Sequence, residues 1–341
     1  MDRELKYKID SLSTHMNELI KVGNKEMPSI GLGLWKIKKR QTSQVVQQAI
    51  KIGYRHLDSA ADYGNEVEVG YGIKDSISRG YCKREDLWIT SKLWNTYHSK
   101  EHIQKACEHS LNDLGLDYLD LYLIHFPIPL RFVSFDYRYP PGWIYGNKDD
   151  GDSIMKLDPI PLSETWMGME SLVEKGLVKS IGVCNYNSGL LHDLMSYAKI
   201  KPEMLQIESH PYLTQNNLIQ LAKDYNMAVT CFSPLGSLSY VSLDMANSNE
   251  SILEHSTIKK ISEDICKTPA QVVLRWAIER GTAIIPKTVK LERLKENIEL
   301  YDFKLTDEQV NIISSLNCDR RFNDPAIFCK KSFGKFHPIY D

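Results

Sequence analysis

No apolar run in this 341-residue chain approaches the roughly 18 residues needed to cross a bilayer. Charge of either sign is not in excess. Lys and Arg number 42 against 44 Asp and Glu, for a formal net charge of −2, and no basic block interrupts the balance. Neither a nucleic-acid nor a membrane-surface partner is expected of such a chain. The opening residues, MDRELKYKIDSLSTHM, are charged and lack the apolar centre of a signal peptide. The seven cysteines contain no Cys-x-x-Cys pair and the ten histidines no His-x-x-x-His pair. No metal site or disulfide framework is therefore expected, and reduced thiols point to a cytoplasmic protein. Also missing is a Gly-x-Gly-x-x-Gly that follows a strand and opens a helix, and "GLGLW" is too short and too aromatic to serve as one. That weakens the doubly wound dinucleotide-binding sheet as a fold.

The sequence does contain eight short apolar runs that alternate with helical patterns. They occupy residues 29–35, 54–60, 87–94, 118–126, 178–185, 204–210, 228–234 and 282–288. Most are nearly continuous in apolar residues, as strands covered on both faces should be. Amphipathic segments between them stop at Gly53, Gly115 and Gly176, each suited to a helix C-cap. Thr268-Pro269 reads as an N-cap followed by a first helical proline, and Thr306 with Gln309 as a capping box. Eight strand–helix units predict an α/β fold of the (β/α)₈ barrel type with a parallel eight-stranded core. Residues 1–16 read as an extension and 17–341 as one domain that includes a C-terminal tail, 317–341. Connections 127–162 and 235–256 exceed ordinary loop lengths and are expected to act as flaps or lids.

Catalytic groups of such a barrel come from the C-terminal ends of its strands. Those ends carry Asp58 with Tyr63 in the following loop, then Lys92, His125, Asn185, Gln206, Ser233, and Lys287 with Thr288. Taken singly, Asp58 and Lys92 read equally well as a buried ion pair, His125 as a core histidine and Tyr63 as packing. Together they fit a more demanding task. A phenol near pKa 10 is a poor proton donor at neutral pH, and an adjacent ammonium held by a carboxylate is expected to lower that pKa. A histidine can then orient a carbonyl oxygen.

The segments GYRHLDSAADYGNEVEVG, LWITSKLW, LDLYLIHFP, IGVCNYN and IIPKTVKLERLKENIELYDF resemble the aldo-keto reductases, in family order, from about residue 17 to the C-terminus. Within that family the chain is most similar to the aldose and xylose reductases. The resemblance implies Tyr63 as general acid, Lys92 as its modulator, Asp58 as partner of Lys92, and His125 as the group that positions the carbonyl. It implies hydride transfer from NADPH, with NADH as second choice, and no metal. Lys287, Thr288 and Arg293 suit the adenosine 2′-phosphate at a helix start. Glu296 and Asn297 match adenine contacts, and Asn185 and Gln206 match contacts to the nicotinamide carboxamide. Ser233, Leu235 and Ser237 fall in the segment that covers the pyrophosphate. Cys184 stands where the family commonly has serine, and Phe232 where it commonly has a tyrosine stacked under the nicotinamide.

Trp35, Trp94 and Phe126 are expected to wall the substrate pocket. Asp62 and Asn323 resemble residues that hydrogen-bond substrate hydroxyls in sugar-reducing relatives, which favours a sugar aldehyde such as xylose. Both also sit in good turn sequences. Lipid or steroid carbonyls remain an alternative, and so does a sugar phosphate met by Arg320, Arg321 and Lys330. A barrel hydrolase or isomerase would leave Tyr63 and Lys92 without a task, and a cofactor-sensing subunit would not need the full Asp-Tyr-Lys-His set. The expected partner is a small carbonyl compound, and the expected state a monomer or homodimer.

Overall fold

The structure is a computed structural model that describes residues 18–136, 143 and 155–340. The 1–16 extension and residues 137–142 and 144–154 of the 127–162 insertion lie outside the described residues. Two antiparallel strands, β1 (Leu19–Val22) and β2 (Lys25–Pro28), come first. Eight parallel strands follow in sequential order: β3 (Leu32–Gly33), β4 (His56–Asp58), β5 (Trp88–Leu93), β6 (Leu121–Ile124), β7 (Ile181–Cys184), β8 (Met204–Glu208), β9 (Ala228–Phe232) and β10 (Ala283–Ile284). The Gly31 and Gly33 N–H groups donate to the carbonyls of Ile284 and Pro286 at 2.8 and 3.1 Å, so the first and last of the eight strands join and the barrel closes. Gly33 is required at that seam, since a Cβ there would lie 2.5 Å from the Ile285 carbonyl oxygen.

Each sequence run contains its strand, shortened to the hydrogen-bonded part. The expected helix signals also appear: Gly53 and Gly115 end helices Lys39–Ile52 and Lys100–Leu114 with positive φ. The Thr268 hydroxyl accepts the Gln271 N–H at 3.2 Å, with Pro269 opening helix Pro269–Glu279. The 235–256 connection is built from short 3₁₀ turns, beginning with Gly236–Ser239. No helix among the described residues is long and apolar enough to cross a membrane. All seven cysteines are unpaired.

The β1–β2 hairpin is absent from the sequence reading. Its signal was the two-residue Gly23-Asn24 link, with Gly23 at φ +61°. Val22 and Met27 of the hairpin pack with Trp88, Leu121, Leu123, Cys184, Met204 and Ala283 in the barrel interior. Side chains alternate along a strand. Two positions beyond the interior residues Leu123 and Met204 therefore come His125 and Gln206, above this apolar layer, and Lys92 shares the inward side of Trp88. The hairpin thus closes one end of the barrel and the functional groups line the other.

Outside the wall, the buried Glu66 carboxyl accepts hydrogen bonds from Ser91 (2.6 Å) and Ser110 (2.8 Å), which ties helix Glu66–Ser78 to β5 and to helix Lys100–Leu114. Burial raises its pKa from 4.5 to about 7. Because the folded state holds this proton more tightly than the unfolded one, stability is greatest below the unfolded value. It falls as pH rises toward about 7, by on the order of 3 kcal/mol. Glu66→Gln should remove that fall. Urea midpoints measured at about pH 5 and about pH 8 test this, and an unchanged pH slope in the variant would exclude Glu66 as its source.

Candidate active site

The barrel mouth opens into a cavity of about 930 Å³. At its floor Lys92, fully buried at the end of β5, uses all three ammonium protons. It donates to Asp58 Oδ1 at 2.6 Å, to the Ser59 carbonyl at 2.7 Å and to the Tyr63 hydroxyl at 3.1 Å. The other Asp58 oxygen accepts from Gln206 Nε2 at 2.7 Å. Tyr63 reaches the group from a single 3₁₀ turn, Ala61–Tyr63, that ends on Gly64 in the left-handed region. His125 follows β6 directly. Its ring lies edge-on to Tyr63 and to Trp94, with centroids 5.9 and 5.5 Å apart.

The expected direction of the phenol's pKa is reversed in the resting site. Burial first, then the Asp58 carboxylate, hold Tyr63 well above its ordinary value. The phenol is therefore fully protonated, and the role left to Lys92 is to stabilise the oxygen as its proton departs. Burial and the Lys92 charge push His125 well below the usual imidazole range. A neutral ring has one N–H to offer an acceptor. Its Nδ1 is buried without a hydrogen-bond partner among the described residues.

Around the rim, Asn185 takes a positive φ of 64° and donates from Nδ2 to the His125 carbonyl at 2.9 Å and to Cys184 Sγ at 3.2 Å. Burial pushes the Cys184 thiol up, so it stays protonated beside Gln206. Phe232, Ser233 and Leu235 line the cavity on one side, and Lys287, Thr288, Arg293, Glu296 and Asn297 line its far arm. Glu296 is held there by the Thr268 hydroxyl at 2.6 Å. Ser237 differs from expectation. It is buried outside the cavity lining and donates to the Glu250 carbonyl at 3.0 Å.

Trp35, Asp62, Phe126 and Asn323 line the cavity as expected, whereas Trp94 stands one layer back. Trp94 supports Trp143, whose ring lies 5.0 Å away and takes the expected wall position. Trp143 lies in the 127–162 connection, whose length marks it as a flap without telling which ring faces inward. Arg320 is gripped by Glu250 at 2.6 and 3.1 Å, and Arg321 lies over the Tyr340 ring at 3.9 Å. Neither guanidinium lines the cavity, nor does Lys330, so the geometry gives a sugar phosphate no support.

Several residues escaped the sequence reading. Lys36 lines the cavity and donates to the Ser239 carbonyl at 2.8 Å and the Ser242 hydroxyl at 3.0 Å. It could have been found as the cation just past the first apolar run. Burial and the charge of Lys287 both lower its pKa, and burial lowers that of Lys287. Two ammonium groups that repel each other across a cavity, neither ion-paired among the described residues, suit an anionic ligand between them. Tyr240 meets Trp35 at a tilt of 41°, with centroids 5.6 Å apart, and shares a 2.6 Å hydrogen bond with Ser233. Tyr340, from the end of the chain, donates to Asn185 Oδ1 at 2.6 Å.

Comparison with known proteins agrees with this geometry. Residues 29–318 match the Aldo/keto reductase family. A probable NAD(P)H-dependent D-xylose reductase of Aspergillus flavus is 45% identical over 317 residues, 92% of this chain and 96% of the relative. The 4-dihydromethyl-trisporate dehydrogenase of Mucor mucedo is 44% identical over 97% of this chain and all of that protein. Among solved structures, the aldose reductase of Schistosoma japonicum superposes with a TM-score of 0.81 at 35% identity, covering 94% of this chain and 98% of that one. A Bombyx mori aldo-keto reductase in complex with NADP gives 0.80 at 32% identity, covering 95% and 99%.

Proposed function

The chain belongs to the aldo/keto reductase family, and from that premise we propose that it reduces the aldehyde of a sugar such as xylose to the alcohol with NADPH, accepting NADH as second choice. The observation that carries the chemistry is the unbroken run Asp58–Lys92–Tyr63 at 2.6 and 3.1 Å beneath His125. Tyr63 donates its proton to the carbonyl oxygen as negative charge develops there, and the Lys92 N–H then serves the phenolate. Neutral His125 orients the same oxygen by donating from its ring. Trp35, Phe126 and Trp143 exclude water from the reacting centre.

The reduced nicotinamide supplies the hydride when bound, and the residues present fit such a dinucleotide. Asn185 and Gln206 would hold the carboxamide, Phe232 would stack on the ring, and Lys36 and Ser233 would face the diphosphate. Lys287, Thr288 and Arg293 would take the 2′-phosphate, and Glu296 and Asn297 the adenine. Lys287→Ala should therefore weaken NADPH binding by about tenfold or more and NADH binding by less than about threefold. Fluorescence titration with both cofactors reads the difference, and equal losses would remove Lys287 from phosphate recognition.

The sugar reading rests on Asp62 and Asn323. Asn323 Oδ1 is buried without a hydrogen-bond partner among the described residues. Leaving such an acceptor unpaired costs about 1–3 kcal/mol, which a substrate hydroxyl would recover. A second reading, a larger and less polar carbonyl, is favoured by the aromatic wall of Trp35, Phe126 and Trp143. Steady-state reduction of xylose, glyceraldehyde and hexanal decides between them. Saturable xylose turnover is expected, and hexanal turnover with none on xylose would overturn the sugar reading. Seven unpaired cysteines support a cytoplasmic setting.

A further inference from the structure

Glu208 takes no part in the chemistry above, yet its carboxylate is fully buried at the end of β8, one inward position above Gln206. Its Oε1 accepts the backbone N–H of Phe322 at 2.8 Å and faces His210 Nε2 at 2.9 Å. Its Oε2 accepts the next backbone N–H, that of Asn323, at 2.9 Å. Burial alone would raise the Glu208 pKa, but the His210 and Phe322 hydrogen bonds reverse it to a net lowering, so the acceptor is charged at neutral pH. Charge-assisted bonds of this kind are about twice as strong as neutral ones.

Two consecutive N–H groups on one carboxylate fix both position and rotation of the Phe322–Asn323 dipeptide. That peptide carries the substrate wall in both directions. The Phe322 ring stacks on Tyr240 with centroids 6.1 Å apart, and Tyr240 in turn meets Trp35. The Asn323 side chain lines the cavity with its oxygen unpartnered. Among the described residues, the Glu208 contact is the one hydrogen bond of the Asn323 main chain.

We propose that Glu208, steadied by His210, is a positioning residue for substrate specificity: it anchors the C-terminal tail so that Asn323 presents its carbonyl oxygen to a substrate hydroxyl. This inference rests on the sugar reading above. It places the selectivity of a tail residue in a strand residue 115 positions earlier in the chain.

The test compares xylose with butanal in the NADPH-loaded full-length enzyme carrying Glu208→Gln. Glutamine turns one acceptor into a donor that opposes a backbone N–H. KM for xylose should rise about tenfold, the equivalent of one lost hydrogen bond, while kcat on butanal and the NADPH dissociation constant stay within about twofold. Glu208→Asp keeps the charge and the His210 contact but cannot span both N–H groups. It should give the same xylose-selective defect if the glutamine variant fails to fold. Adding Asn323→Ala to either variant should cost little more than Asn323→Ala alone, because the two residues act as one unit. Equal losses on both aldehydes, an unchanged xylose KM, or additive effects would each overturn the proposal. Absence of xylose turnover in the unaltered enzyme would instead overturn the sugar reading, and the anchor's assigned role with it.

Discussion

Tyr63→Phe should lower carbonyl reduction by about 10²- to 10⁴-fold, the range general acid catalysis supplies, while NADPH binding changes by less than about twofold. The substitution removes one oxygen and leaves the ring, so its edge contact with His125 and its place under the Lys92 ammonium survive. None of the residues assigned to the cofactor hydrogen-bonds the Tyr63 hydroxyl, whose contact runs to Lys92. The loss should therefore fall on kcat, not on binding. Because burial holds the phenol protonated well beyond neutral pH, the unaltered enzyme should keep its proton donor loaded across the neutral range. Rapid-quench and steady-state rates with xylose or glyceraldehyde measure the effect. Near-normal turnover in the phenylalanine variant would show that the proton comes from elsewhere, with His125 the next group in reach.

The parts of this site that could be read from the sequence are those where a physical constraint leaves a local mark. Strands buried on both faces must be apolar throughout, so a polar, titratable group at the end of one, such as Lys92 after WITS or His125 after LYLI, stands out against its run. Thr268-Pro269 and Gly53 mark helix ends because capping and positive φ demand particular residue types. What escaped depends on partners distant in sequence. Nothing local to MLQIESH announces that Glu208 will receive two tail N–H groups 114 and 115 residues away. Family resemblance points Ser237 toward the cofactor, and a place beside the rim points Trp94 toward the substrate, but neither signal reports which way the side chain faces. The turn Gly236–Ser239 rotates the Ser237 hydroxyl onto Glu250, and Trp143 occupies the place in front of Trp94. The phenol's pKa was misjudged for a related reason, since proximity of an ammonium is visible in a motif and the depth of burial is not.

Lys92→Met separates the structural from the chemical task of the central ion pair. The ammonium and the Asp58 carboxylate are both almost completely inaccessible, at 0% and 1% side-chain exposure. Removing the cation strands a buried carboxylate with only Gln206 for a partner, and breaking such a pair costs about 3–5 kcal/mol. The urea midpoint should drop accordingly, and turnover should fall with it. Adding Asp58→Asn removes the stranded charge, and an amide can still meet Gln206, so most of the lost stability should return. Turnover should not return, because the Tyr63 oxygen would still give up its proton with no cation beside it. A double variant that regains stability and remains inactive places the ammonium in the chemistry. One that regains both would reduce Asp58 and Lys92 to a pair that merely holds the barrel closed, and Tyr63 would then have to act alone.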